Sequence, residues 1–227
     1  MRTRFNWTNF KRHLTYNGWK YILAAVLIGF GIDMLFTTTR YVVPNDKKIE
    51  IYIYGYANDE TLEQYMIETG KEETPDMEEM SCQVIMPDDQ QADMVLQVRL
   101  MAQEGDIYIV PRDRFFSCSS VGFFAELDSY PEIMELIEEK DIKTDTGWRT
   151  LEEQTERHLY GIPVSQLPSL GYFAYVEDGY VCLYVGSGED GDTIRFLKRF
   201  LTDMSVPVSE PEVEETTEST VTAGENE

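Results

Sequence analysis

Histidine is almost missing from this chain, and cysteine, basic residues and long apolar runs are scarce in its 227 residues. Its two histidines are His13 and His158. A histidine-based metal cluster is therefore excluded. A Ser-His-Asp or Cys-His arrangement would have to use His158, which sits in "EEQTERHLYG" without a flanking signature and reads as the surface residue of a polar helix. The three cysteines, Cys82, Cys118 and Cys182, show no CxxC spacing, which argues against a zinc knuckle and against a full disulfide framework. One bridge between Cys82 and Cys182, or three buried thiols, are the two readings left. Bases are outnumbered, 19 Lys and Arg against 42 Asp and Glu, for a net charge of −23. Such a surface repels phosphate, so nucleic acid is not an expected partner.

The few bases are concentrated. Up to Arg40 there are six of them, and Asp33 is the sole acid. They lead into the one long apolar run, "YILAAVLIGFGIDMLFTTT", which is long enough to cross roughly 30 Å of hydrocarbon as a helix. Trp19 and Tyr21 stand where an interfacial aromatic belt would lie, and Lys20 and Arg40 bracket the run. The expected organisation is a cytoplasmic basic segment over 1–19 and a transmembrane helix over 20–40 in contact with the lipid bilayer. An external α/β domain over 45–203 and a disordered acidic tail over 204–227 follow. The location this implies is the cell membrane, single-pass, with the N-terminus inside by the positive-inside rule. A cleaved signal peptide fits less well, because "FTTTRY" makes a poor cleavage site. Asp33 either faces a partner within the membrane or lies near enough to Arg40 to reach water.

Beyond the run, "IEIYIYGYA" alternates as a first strand. Asn58 or Asp59 caps a helix that Gly70 closes, and "CQVIMP" makes a second strand. A helix capped by Asp88 or Asp89 follows. Met94, Val95, Val98, Leu100 and Met101 form its apolar side, and Gly105 ends it. "DIYIV" is nearly all apolar, as a strand covered on both faces must be. Strand–helix–strand–helix–strand is the pattern of crossovers onto a parallel sheet. Next come a Phe-rich loop, a short helix from near Pro131, a polar helical stretch before the strand "GIPV", and a hairpin turning at Glu177-Asp178-Gly179. An amphipathic helix then buries Ile194, Phe196, Leu197 and Leu201. The loop "GSGEDGDT" offers oxygen ligands for calcium but lacks the EF-hand order, and also reads as a turn whose Asp192 or Thr193 caps that helix. No metal or cofactor is expected.

The order of these elements resembles the bacterial extracellular solute-binding proteins that serve ABC importers, the type II periplasmic-binding fold. Four stretches carry the likeness: "KIEIYIYGYANDETLEQ", "VLQVRLMAQEGDIYIVP", "FFAELDSY" and "LYGIPVS". The chain departs from that family in length, since "YGIPVS" arrives too early for a second lobe. The expected fold class is therefore α/β: an N-terminal transmembrane helix plus a mainly parallel-sheet, helix-flanked single lobe resembling half of a periplasmic binding protein. The resemblance implies a non-enzymatic, membrane-anchored module that captures or senses a small solute such as a sugar or peptide for an ABC permease. The other reading is an interaction protein whose reduced lobe docks on a membrane partner through an apolar patch around Phe115, Phe116, Phe123 and Phe124. In open α/β sheets a ligand sits beyond the carboxyl ends of the strands. Those ends point to Tyr54, Tyr56, Arg112, Phe115, Ser165 and Gln166, with Tyr56 and Phe115 as stacking surfaces and Arg112 as the partner of a carboxylate. The same aromatics would also serve simply to cover an edge.

Overall fold

The computed structural model describes residues 7–41, 43–152, 154–187 and 191–207, with side chains from Gly18 onward. The chain divides into two compact units, one up to Val43 and one from Pro44. In the first, α1 (Trp7–Thr39) is a single helix. Its stretch Gly18–Thr39 is long and apolar enough to span a membrane or to act as a signal sequence. Within that stretch the hydroxyls of Thr37, Thr38 and Thr39 each donate to the carbonyl four residues back, so these polar groups are satisfied inside the helix.

The second unit is mixed α/β with a mainly parallel central sheet. β1 (Lys48–Tyr54) runs straight from the linker, and β2 (Tyr56–Ala57) splits off after Gly55. α2 (Asp59–Glu73) is capped by the Asn58 side chain, which accepts from Thr61 N at 3.3 Å. Gly70 does not close this helix, which continues to Glu73. A Cβ at Gly70 would lie 2.1 Å from the Met80 side chain, so the glycine serves close packing rather than a stop. β3 (Glu79–Ile85), α3 (Ala92–Met101), β4 (Ile107–Val110) and α4 (Arg112–Ser120) follow, then α5 (Pro131–Glu139). The last third holds β5 (Trp148–Arg149), β6 (His158–Leu159), β7 (Ile162–Pro163), β8 (Ala174–Tyr175), β9 (Tyr180–Leu183) and α6 (Gly191–Ser205).

The sheet order is β3-β1-β4-β9-β7. β1 is parallel to both β3 and β4, and β9 is antiparallel to its neighbours β4 and β7. Alternation along the strands sorts two cores. Ile49, Ile51, Ile53, Ile107, Ile109, Val181 and Leu183 meet α2, α5 and α6 on one face. Tyr52, Tyr54, Tyr108, Val110, Tyr180 and Cys182 meet α3 and α4 on the other. Every residue of "IYIV" is fully buried, as expected of a strand covered on both faces.

Several sequence expectations are corrected. α3 buries Ala92, Leu96 and Leu100, while Met94, Val98 and Met101 are 64%, 57% and 71% exposed. The helix carries apolar residues all round, so periodicity did not select the buried face. The Phe-rich "loop" forms α4, in which Phe115 and Phe124 are buried and Phe116 and Phe123 partly so; no exposed phenylalanine patch exists there. The "polar helix" before "GIPV" is instead the antiparallel β5–β6 pair, Trp148 opposite Leu159 and Arg149 opposite His158. Arg149 reaches the end of α4, donating to Phe116 O at 2.6 Å, and lies 4.5 Å over the Phe116 ring, which draws this segment into extended pairing. The presumed hairpin arms belong to different sheets: β8 pairs with β2, and β9 with β4 and β7. Cys82 and Cys182 lie on opposite faces of the sheet with β1 and β4 between their strands, and all three cysteines are free. Asp192 and Thr193 lie inside the first turn of α6 rather than capping it, and Met204 and Ser205, expected in the tail, complete that helix. The centre of the "GSGEDGDT" loop, residues 188–190, and the acidic tail from 208 on lie outside the described residues.

Candidate functional site

The carboxyl ends of β4 and β7 and the amino end of β9 meet at one edge, since Tyr180 is opposite both Val110 and Pro163. An open recess of about 430 Å³ lies there. Pro163, Val164, Leu167, Pro168 and Val176 give it apolar walls, and Arg112, Thr146, Ser165, Tyr175 and Asp178 bring polar groups to it. The backbone builds the recess by close approach. A Cβ at Gly179 would lie 2.8 Å from Val176 and 3.0 Å from Val164, and one at Gly55 would lie 2.5 Å from the Tyr175 carbonyl. Asp178 holds the turn in a left-handed conformation, φ +44°, which Asp tolerates better than most residues.

Of the six residues expected at the strand ends, Arg112 and Ser165 line this recess. Tyr56 reaches its margin indirectly. It sits opposite Tyr175 in the β2–β8 pair, and the two rings, 47% and 65% exposed, share one face. The Tyr56 hydroxyl donates to Asp88 Oδ2 at 2.5 Å. Gln166 points elsewhere, accepting from the Lys143 backbone at 3.2 Å. Phe115 has no exposed surface and stacks on Tyr180 at 4.2 Å, so it supports the recess from beneath. Tyr54 is buried, and its hydroxyl donates to Asp93 Oδ1 at 2.8 Å. Arg114 pairs with the same carboxylate at 2.6 Å and lies 5.9 Å over the Tyr54 ring. Thr146, Tyr175 and Asp178 were not anticipated. Thr146 lies in a short 3-10 helix, Asp145–Gly147, Tyr175 in a two-residue strand and Asp178 in a turn, and only the turn chemistry of "EDG" marks one of them.

Arg112 differs from the other arginines of this unit. Arg99, Arg114, Arg149, Arg157, Arg195 and Arg199 each donate to an oxygen of the protein. Arg112 is exposed; its guanidinium lies 5.5 Å over the Phe116 ring and makes no hydrogen bond or ion pair among the described residues. In a chain of net charge −23, a guanidinium without a carboxylate partner at the mouth of a recess is conspicuous.

Two further polar assemblies are self-satisfied. His158 Nδ1 pairs with Asp128 Oδ2 at 2.9 Å and approaches Glu126 Oε2 at 3.5 Å. The Asp128 bond, with help from the nearby acids, holds the imidazole above its usual range. No serine or cysteine bonds to this ring among the described residues. At the opposite edge of the sheet, Asp106 Oδ2 accepts from Glu50 N at 2.9 Å, and Glu50 pairs with Lys48 at 3.1 Å. Burial raises Asp106 to about 6. Burial also pushes the Cys82 thiol up to about 12 and Cys118 to about 11, which leaves both protonated and unreactive. No group of three His, Cys, Asp or Glu that could hold a metal occurs among the described residues.

No family model matches the sequence, and no curated protein matches it. The chain is similar to a solved structure, an extracellular solute-binding protein family 1 from Alicyclobacillus acidocaldarius subsp. acidocaldarius DSM 446, at 15% identity and a TM-score of 0.37. The similarity covers 55% of this chain and 28% of that one.

Proposed function

We propose that the unit from Pro44 onward is a solute-binding-like module that captures or senses a small polar solute and does no chemistry on it. We further assign it to the outer side of a cell membrane, tethered through residues 20–40 with a cytoplasmic N-terminus and working with an ABC-type permease. The observation that supports ligand capture is the recess beyond β4 and β7, where Arg112 carries an uncommitted charge beside apolar walls and an exposed tyrosine. Polar groups that converge without partners of their own are what a small-molecule site offers. The test is thermal unfolding of the full chain in nanodiscs against sugars, amino acids and short peptides. Ligand at about a hundred times its Kd should add roughly 2.7 kcal/mol of stability. A melting point that no compound moves would sink the reading.

One observation favours a second reading, an interaction protein. Met94, Val98 and Met101, spaced four and three residues apart, place an exposed apolar stripe on α3. Methionine-bearing stripes adapt to varied partners. Under this reading, replacing the three residues with glutamine leaves the melting point nearly unchanged and abolishes co-purification of a membrane protein with the chain.

A further inference from the structure

Resting on the reading of the recess as a ligand site, we infer that it recognises a zwitterion, an α-amino acid or short peptide, rather than a neutral sugar or a simple anion. The inference starts from two opposite charges that line one cavity without meeting. Arg112 and Asp178 both border the recess of about 430 Å³ and also the shallow depression beside it, where Phe116, Glu177 and Asp113, the last paired with Arg114 at 3.2 Å, join them. No ion pair within 4 Å joins them, and Asp178, like Arg112, has no hydrogen bond or ion pair among the described residues.

Each charge is placed by the fold. Arg112 opens α4 directly after Pro111 and leans on the Phe116 ring at 5.5 Å, a contact that orients the guanidinium without neutralising it. Asp178 projects from a turn fixed by the close approach of Gly179 to Val176 and Val164. Apolar residues from β7 and the loops after it line the space between, and the exposed Tyr175 ring borders it. The arrangement offers a cation for a carboxylate, an anion for an ammonium and an apolar surface for a side chain.

Other ligand classes leave something unmatched. A sugar would pair with neither charge at full strength. A simple anion would leave Asp178 facing it and would have to approach through the field of a chain carrying −23. A simple cation would be drawn to Asp178 and Glu177 but would leave Arg112 unmatched. A zwitterion is neutral overall, so the field does not oppose its approach, and it satisfies both groups with charge-assisted hydrogen bonds. A recess of this volume is at the small end of ligand sites, which run from about 300 to 1,000 Å³.

The experiment is calorimetric titration of the full chain in nanodiscs with L-leucine, leucyl-leucine, leucinamide, 4-methylpentanoate and maltose. The two zwitterions are expected to bind. Leucinamide, which keeps only the cation, and 4-methylpentanoate, which keeps only the anion, should each bind about tenfold or more weakly, the loss of one charge-assisted bond. Arg112→Gln should weaken leucine by a similar factor without weakening leucinamide, and Asp178→Asn should weaken leucine without weakening 4-methylpentanoate. Asn accepts the left-handed backbone at 178, and the Arg112 side chain makes no hydrogen bond or ion pair among the described residues, so both variants should melt like the parent. Maltose binding, or a one-charge analogue binding as well as leucine, overturns the zwitterion while the ligand recess stands. Failure of every compound to bind overturns both.

Discussion

Asp106 provides the clearest quantitative test of the packing. Its carboxylate accepts the Glu50 backbone N–H at 2.9 Å, and the Asp106 N–H returns the favour to the Glu50 carbonyl at the same distance. Burial opposes its charge more than these bonds favour it, and its pKa rises from 3.8 to about 6. A raised folded-state pKa means that the folded protein holds this proton more tightly than the unfolded chain. The group's contribution to stability is therefore greatest below the unfolded value and is lost as pH rises through about 6. A rise of this size is worth about 3 kcal/mol over the whole range, of which roughly 1.4 kcal/mol falls between pH 7.5 and pH 5. Asp106→Asn keeps an oxygen for the Glu50 N–H and removes the charge. Urea unfolding of the Pro44–Glu227 unit at several pH values from 5 to 7.5 gives the assay. The parent should gain about 1.4 kcal/mol over the variant on going from pH 7.5 to pH 5. His158 titrates in both proteins, so the difference between the two curves isolates Asp106. Parallel curves would refute the claim that burial sets this carboxyl's affinity for protons.

Other perturbations follow from the same packing. Phe115→Ala removes a fully buried ring stacked on Tyr180 and should cost about 3–5 kcal/mol in urea unfolding. Gly105→Ala adds a Cβ 2.4 Å from the Tyr52 ring at a backbone φ of +79°, and should cost about 2–5 kcal/mol from strain and overpacking together. His158→Gln removes an imidazole whose pKa is raised by its bond to Asp128. That raised value makes its contribution full below the ordinary pKa of about 6.5 and lost as pH climbs through the folded value. The gap in melting point between the parent and His158→Gln should therefore be widest in acid and close towards alkaline pH.

The parts of the fold that were legible are those where burial imposes a period. β1 alternates isoleucine with glutamate and tyrosine, β4 is apolar throughout, and α6 places Ile194, Phe196, Leu197 and Leu201 inward, as its spacing requires. Two-residue strands have no period to read, so the β2–β8 and β5–β6 pairs were invisible. α4, "RDRFFSCSS", is poor in strong helix formers and is held by tertiary contacts. Its Ser119 and Ser120 hydroxyls fold back on the Phe115 and Phe116 carbonyls at 2.6 and 2.7 Å, and Arg149 closes its end. At the candidate site, Arg112 and Ser165 could be named because each stands two residues past the end of a strand, β4 and β7. Tyr175 and Asp178 could not, because the chain brings them back to that edge through loops that no local pattern specifies.

Topology also explains why the recess lies where it does. The chain leaves β1 for β3 on one side and then returns across it to β4 on the other, so the strand order reverses between β1 and β4. That reversal is where open α/β sheets usually leave a crevice for ligand. Here Tyr54, Asp93 and Arg114 occupy its mouth, tied by contacts of 2.6 to 2.8 Å that satisfy one another. A ligand entering there would have to displace the Arg114–Asp93 pair and leave the Tyr54 hydroxyl without its acceptor. The neighbouring gap, over β4, β9 and β7, has no such plug among the described residues. The two arginines of the first turn of α4 express the difference: Arg114 is spent on Asp93, while Arg112 faces the open recess with its charge unmatched. The sheet edge is thus closed at its reversal and open one strand further on, and ligand selection falls to the groups around Arg112.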